Sequence, residues 1–271
     1  MQYPNLFPTI TLFLVITILS FIHLPSSSYA DNAKYLNCSA PFNCAGMKGL
    51  NYPFWGSNRP NYCGHPAFEL SCSDDAPHIK IKHMNYRILD VNKVSRTLMV
   101  AREDYWNNIC SPIASNTAIN FTFFDYDSAT TNLTLYYGCS GSFPSQPHTR
   151  FNCSSSNNSF VSGRNNYCLD STIANLIGNS SALKCLYNVI VPVLQSAVQT
   201  ESNLTEAALA KAIDGGFMLR WDANNSLCDG CQATGGQCGY NTRKSEFTCF
   251  VSTTGTYLIC CFSYSIYCLF V

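Results

Sequence analysis

Sixteen cysteines in a chain of 271 residues constrain this sequence more than any other feature. Chains kept in a reducing compartment seldom carry so many unless they bind metal, whereas exported chains pair them. An export route is present. An apolar run from Leu6 to Leu24 ends in Pro25 and small residues, and Ser28-Tyr29-Ala30 has the small-x-small form of a signal-peptidase site. The n-region lacks Lys and Arg, so an N-terminal membrane anchor is the competing reading. Cleavage after Ala30 leaves a mature chain that starts at Asp31 and keeps every cysteine.

Glycosylation sequons agree with that destination. They stand at Asn37, Asn120, Asn132, Asn152, Asn157, Asn179, Asn203 and Asn224, spread over the mature chain. Two of them alternate with apolar residues, Ile119-Asn120-Phe121-Thr122-Phe123 and Asn132-Leu133-Thr134-Leu135-Tyr136. Period two is the strand period, so both stretches read as strands with the sequon on the wet face.

The charge is balanced, 16 basic against 16 acidic residues. That excludes the basic excess of a nucleic-acid binder, and a hydrophobic fraction of 46% excludes a disordered chain. Ile79 to Lys82 alternates as a strand. Tyr86 to Val91 and Thr97 to Ala101 read as a hairpin turning at Asn92-Lys93-Val94-Ser95, and Phe121 to Phe124 with Leu133 to Tyr137 as another. No long helical stripe occurs before Asp170. Residues 141–166 are rich in Ser, Asn, Pro and Gly and read as a linker. Beyond it, Asp170 or Ser171 caps a short helix ending at Gly178. Leu183 to Leu194 is a strand that Pro192 interrupts or places at an edge. Thr205 to Asp214 is a helix stopped by Gly215-Gly216, and Phe217 to Trp221 is a strand. The fold class expected is β-rich and disulfide-stapled: an all-β N-terminal module over 31–110, then an α+β Cys-rich module over 111–250.

Catalytic signatures are missing. The chain has no G-x-S-x-G elbow, no phosphate loop or dinucleotide fingerprint, no protein-kinase motif set and no H-E-x-x-H. No cofactor is implied. Cys228-x-x-Cys231 followed by Cys238 and Cys249 suggests a metal knuckle, but a second C-x-x-C is absent and the compartment is oxidising, so disulfides outweigh metal. The thirteen cysteines from Cys38 to Cys249 (38, 44, 63, 72, 110, 139, 153, 168, 185, 228, 231, 238 and 249) form the expected disulfide set, with pairing open and one cysteine left over. Binding chemistry remains. A strand over 78–83 places His78, Lys80 and Lys82 on one face, a cationic stripe for a polyanion. Tyr52, Trp55 and Tyr62, near Arg59 and His65, are candidates to stack on sugar rings while cations meet carboxylates. Over 31–104 the basic excess is small, nine against seven, so an ordinary solvated strand face and a core Trp55 stand beside that reading.

These residues also carry a family pattern. Cys38-Ser39-x-Pro41-Phe42-x-Cys44, Tyr52-Pro53-Phe54-Trp55, Cys63-Gly64-His65-Pro66-x-Phe68-x-Leu70-x-Cys72, Tyr86-x-Ile88-Leu89 and Ala101-Arg102-Glu103-Asp104 resemble the galacturonan-binding extracellular domain of plant wall-associated receptor kinases, in their leaf-rust-resistance receptor-like type. Gly216-Phe217-x-Leu219-x-Trp221, Cys228-x-x-Cys231, Gly235-Gly236-x-Cys238-Gly239-Tyr240 and Phe247-x-Cys249 resemble the C-terminal module that follows it. The resemblance implies an extracellular, wall-facing ectodomain that binds acidic pectin or oligogalacturonides without catalysis, with other receptors as further partners. In the family a membrane helix and a Ser/Thr kinase normally follow. The alternative is an ectodomain for a peptide or another receptor, with incidental polysaccharide affinity. Three features depart from the family: Ala45 stands where Gly is usual, Val251 where a last Cys is expected, and residues 251–271 form a hydrophobic tail. That tail reads as the nonnative end of a truncated or spliced product, with a weak membrane anchor as runner-up.

Overall fold

The computed structural model describes residues 26–72, 75–111, 114–140, 149–153, 165–170, 184–199 and 204–252. The N-terminal run, the sequons at Asn157, Asn179 and Asn203, the helix expected over 171–178 and the tail beyond 252 lie outside them.

The fold is strand-rich, as expected. A first helix, α1 (Ser26–Ser39), leads into a small hairpin, β1 (Phe42–Cys44) and β2 (Met47–Leu50). The main sheet has seven strands: β3 (Trp55–Gly56), β4 (Glu69–Ser71), β5 (His78–Ile81), β6 (Met84–Asn92), β7 (Thr97–Arg102), β8 (Phe124–Tyr126) and β13 (Phe217–Trp221). Their order is β3-β4-β5-β6-β7-β13-β8, parallel only between β3 and β4. A four-stranded antiparallel sheet holds β9 (Thr130–Cys139), β10 (Thr149–Phe151), β11 (Asn165–Asp170) and β12 (Tyr187–Leu194) in the order β10-β11-β9-β12. Helix α2 (Glu206–Asp214) packs on it through Leu209 and Ile213. Helix α3 (Asn225–Ala233) and the hairpin β14 (Gln237–Asn241) and β15 (Glu246–Phe250) complete the chain.

Local chemistry explains several elements. The β6–β7 hairpin forms where alternation predicts it, and Asn92 Oδ1 accepts the N–H groups of Val94 and Ser95 at 3.0 Å each. Thr205 caps α2, its hydroxyl accepting from Ala208 N at 3.2 Å. Pro192 lies on β12, an edge strand paired with β9, where its missing N–H does no harm. Gly216 has φ +68 and sits so close to β7 that a Cβ would lie 2.2 Å from the Val100 carbonyl oxygen. The Gly-Gly pair therefore ends α2 and also lets β13 dock.

Other expectations are corrected. Ile119 to Phe123 is a turn, not a strand. Asn120 Oδ1 accepts from Thr122 N, and the Asn120 carbonyl from Phe123 and Phe124 N, so local hydrogen bonding to an Asn overrides the alternation. Phe121 is left 66% exposed. The second hairpin does not form either: β8 pairs with β13 in the main sheet, and β9 with β11 and β12 in the other. In β9, Asn132 is exposed and Leu133 and Leu135 are buried. Two helices lack a sequence signal. Helix α1 has no apolar stripe and is anchored by the Cys38–Cys63 disulfide and by Tyr35 packed near Phe250. Helix α3 places Cys228 and Cys231 one turn apart, each bonded to the adjoining hairpin.

Two cores result. Phe54, Phe68, Ile79, Tyr86, Leu98, Val100, Phe217, Leu219 and Trp221 fill the first. Leu135, Tyr137, Phe151, Val189, Val191 and Leu209 fill the second. Arg102 joins the two sheets. It is 2% exposed and donates to Asp104 Oδ1 (3.0 Å) and Oδ2 (2.7 Å), the Ser115 carbonyl (2.8 Å) and Thr117 Oγ1 (3.2 Å). Thr117 in turn donates to the Ile190 carbonyl on β12.

Candidate functional site

Among the described residues six disulfides staple the chain: Cys38–Cys63, Cys44–Cys72, Cys110–Cys153, Cys139–Cys185, Cys228–Cys238 and Cys231–Cys249. Each closes a loop of unfolded chain and adds about 2–4 kcal/mol. Cys168 is buried at the β11–β9 seam, opposite Leu135. Among the described residues no group of three His, Cys, Asp or Glu is placed to hold a metal ion.

Seven of the candidate ligand residues divide into two sets. Tyr52, Arg59 and His65 are buried and Trp55 is half-buried. Tyr52 Oη donates to the Ala223 carbonyl at 2.7 Å, and burial pushes its phenol well above the ordinary value. The Arg59 guanidinium donates to the carbonyls of Cys38 and Ala40, each at 2.8 Å, and burial pulls its pKa down. Trp55 Nε1 donates to the His65 carbonyl at 2.9 Å. The His65 ring packs between Phe123 and Tyr240, with centroids 4.5 and 5.0 Å away. Its Nδ1 accepts from Ala67 N at 3.2 Å. Burial lowers its pKa and so favours the neutral ring that this acceptor role requires.

The second set faces open space. A groove of about 850 Å³ runs along β5, and His78, Lys80, Lys82, Asn85, Glu69 and Glu103 lie on it. Strand pleating buries Ile79 and Ile81 and turns Lys80 outward. The three basic residues do not share one strand face, because β5 ends at Ile81. Lys82 occupies the turn into β6 with φ +56, and the bend still leaves it on the groove. His78 Nε2 lies 2.8 Å from Glu103 Oε2. The Cys44–Cys72 bridge fixes one border. Glu69, Asn85 and Glu103 were not singled out as ligand residues. Only Glu103, inside the Ala101-to-Asp104 motif, carried a sequence signal.

Six disulfides among the described residues, two large cores and an open groove beside two lysines define a stapled, strand-rich protein. Residues 38–102 match the family model described as wall-associated receptor kinase galacturonan-binding, and residues 152–254 the one described as wall-associated receptor kinase C-terminal. The chain therefore carries these two domains of the wall-associated receptor kinases, in that order. Leaf rust 10 disease-resistance locus receptor-like protein kinase-like 2.1 of Arabidopsis thaliana is 30% identical over 252 residues, covering 91% of this chain and 38% of the relative. The 2.5 protein of that plant is 33% identical over 250 residues, covering 87% of this chain and 36% of the relative. The chain thus spans a little over a third of the length of these relatives. No solved structure matches it. No helix among the described residues is long and apolar enough to cross a membrane.

Proposed function

We propose that this chain binds acidic pectin at the cell-wall face, without catalysis, through the groove along β5. One observation carries the reading: the region that matches the galacturonan-binding model presents Lys80 and Lys82 on an open groove. Galacturonate carboxylates pair with the two ammonium groups, Asn85 offers an amide to ring hydroxyls, and Glu103 holds the His78 ring. Tyr52, Trp55, Arg59 and His65 act as scaffold, since each is buried or half-buried and hydrogen-bonded to backbone.

The test is binding of de-esterified oligogalacturonides by the secreted protein over a salt series, with the methyl ester and a neutral glucan as controls. Exposed charges are screened over about 8 Å at physiological ionic strength, so affinity falls as salt rises. Lys80→Glu/Lys82→Glu removes the binding at this groove. Salt-independent binding, or equal binding of ester and acid, would refute the reading.

A further inference from the structure

A second groove, of about 440 Å³, lies where α1 meets the β14–β15 hairpin. Its walls include the aromatic rings of Tyr62, Tyr240 and Phe250, the amide of Asn241 and the cations Lys34 and Arg243. No carboxylate is among its described lining residues, whereas the β5 groove has Glu69 and Glu103.

The walls are held in place before any ligand arrives. Tyr62 Oη accepts from Asn37 Nδ2 at 2.7 Å, and the Tyr62 ring meets Phe250 edge-on with centroids 6.0 Å apart. Tyr240 rests edge-on against His65. Half-cystines stand beside the wall residues: Cys63 follows Tyr62 and bonds Cys38, and Cys249 precedes Phe250 and bonds Cys231. Gly239 permits the close approach, because a Cβ there would lie 2.3 Å from the Phe250 ring and 2.5 Å from the Tyr62 carbonyl oxygen. Rigid aromatic faces beside cations suit a sugar ring bearing a carboxylate, and preorganisation lowers the cost of binding it.

We propose that this groove is a second site for an acidic sugar, assembled from both domains, with Arg243 as the carboxylate partner and Tyr62 and Tyr240 as stacking faces. The choice of an acidic sugar rests on the pectin reading above, while the location rests on the groove's own walls. Tyr62 belongs to the galacturonan-binding match, and Tyr240, Arg243 and Phe250 to the C-terminal match. Neither domain alone supplies the site.

Calorimetric titration of the secreted protein with trigalacturonate tests the proposal. Arg243 is exposed in the hairpin turn, so Arg243→Glu leaves the fold intact, as an unchanged urea midpoint verifies. The wild type is expected to bind two trigalacturonates and each charge-reversal variant one: Arg243→Glu retains the β5 groove, and Lys80→Glu/Lys82→Glu retains this one. Arg243→Lys keeps the second site with affinity weakened by about fivefold or less, the scale of one exposed ion pair. If Lys80→Glu/Lys82→Glu abolishes all binding and Arg243→Glu changes nothing, the second site is refuted and the pectin reading stands. If Arg243→Glu alone abolishes binding, this site stands and the β5 placement falls. A wild type that binds no trigalacturonate overturns both.

Discussion

Asp104→Ala tests the joint between the two sheets. The carboxylate is 13% exposed and its partner Arg102 1% exposed, by side chain. Asp104 accepts two N–H bonds from Arg102 and one O–H bond from Ser111 at 2.7 Å. Removing one partner of a buried ion pair costs about 3–5 kcal/mol, because the remaining charge is stranded. Arg102 keeps the Ser115 carbonyl, Thr117 Oγ1 and the Tyr105 ring, 4.6 Å from its guanidinium carbon. Those contacts place the cost near the lower end, about 3 kcal/mol. At an m-value of about 3 kcal/mol per molar urea, the midpoint moves down by roughly 1 M. The assay is urea unfolding of the oxidised protein followed by tryptophan fluorescence. Arg220→Ala is the control: its partner Asp127 is 3.9 Å away and Arg220 is 60% exposed, so the change stays within about 0.5 kcal/mol. A midpoint for Asp104→Ala no lower than that of the control would refute the assigned role.

Two further perturbations follow from the same geometry. His65 has a folded-state pKa below its ordinary 6.5 because burial disfavours the cation. Between those two values the unfolded chain binds more protons than the folded one, so stability falls as pH drops below about 6.5 and levels off below the folded pKa. His65→Asn should flatten that part of the stability–pH curve, measured by urea midpoints at pH 5, 6 and 7; an unchanged slope would count against it. Ala45 adopts φ +43 before Gly46 at φ +88, a left-handed conformation that costs a non-glycine residue about 1–2 kcal/mol. The added freedom of a glycine in the unfolded chain returns about 0.4–1 kcal/mol of that, so Ala45→Gly should stabilise by about 0.5–1 kcal/mol in the same assay, and a loss of stability would show that the turn is not strained.

Signals confined to a few consecutive residues were legible without the structure. The alternation of Ile79 and Ile81, the turn at Asn92 to Ser95, the cap at Thr205 and the edge placement of Pro192 each depend on near neighbours in the chain. The cysteine frame and the motifs around it identified the family. The pairing of those cysteines, the sheet that each of β8 and β9 joins, and the exposure of the candidate ligand residues depended on contacts between distant segments. Tyr52 looks like a stacking residue in its own stretch, yet its hydroxyl is taken by Ala223, 171 residues away. Asn120 breaks a strand pattern with one side-chain hydrogen bond, and α1 forms without an apolar stripe because a disulfide and a neighbouring hairpin hold it. The sequence by itself determined the stapled, strand-rich character of the protein and its family, because composition and short-range pattern carry that information. Only the tertiary structure decided which polar side chains are scaffold and which face a groove, because burial is set by the packing of segments that the sequence leaves far apart.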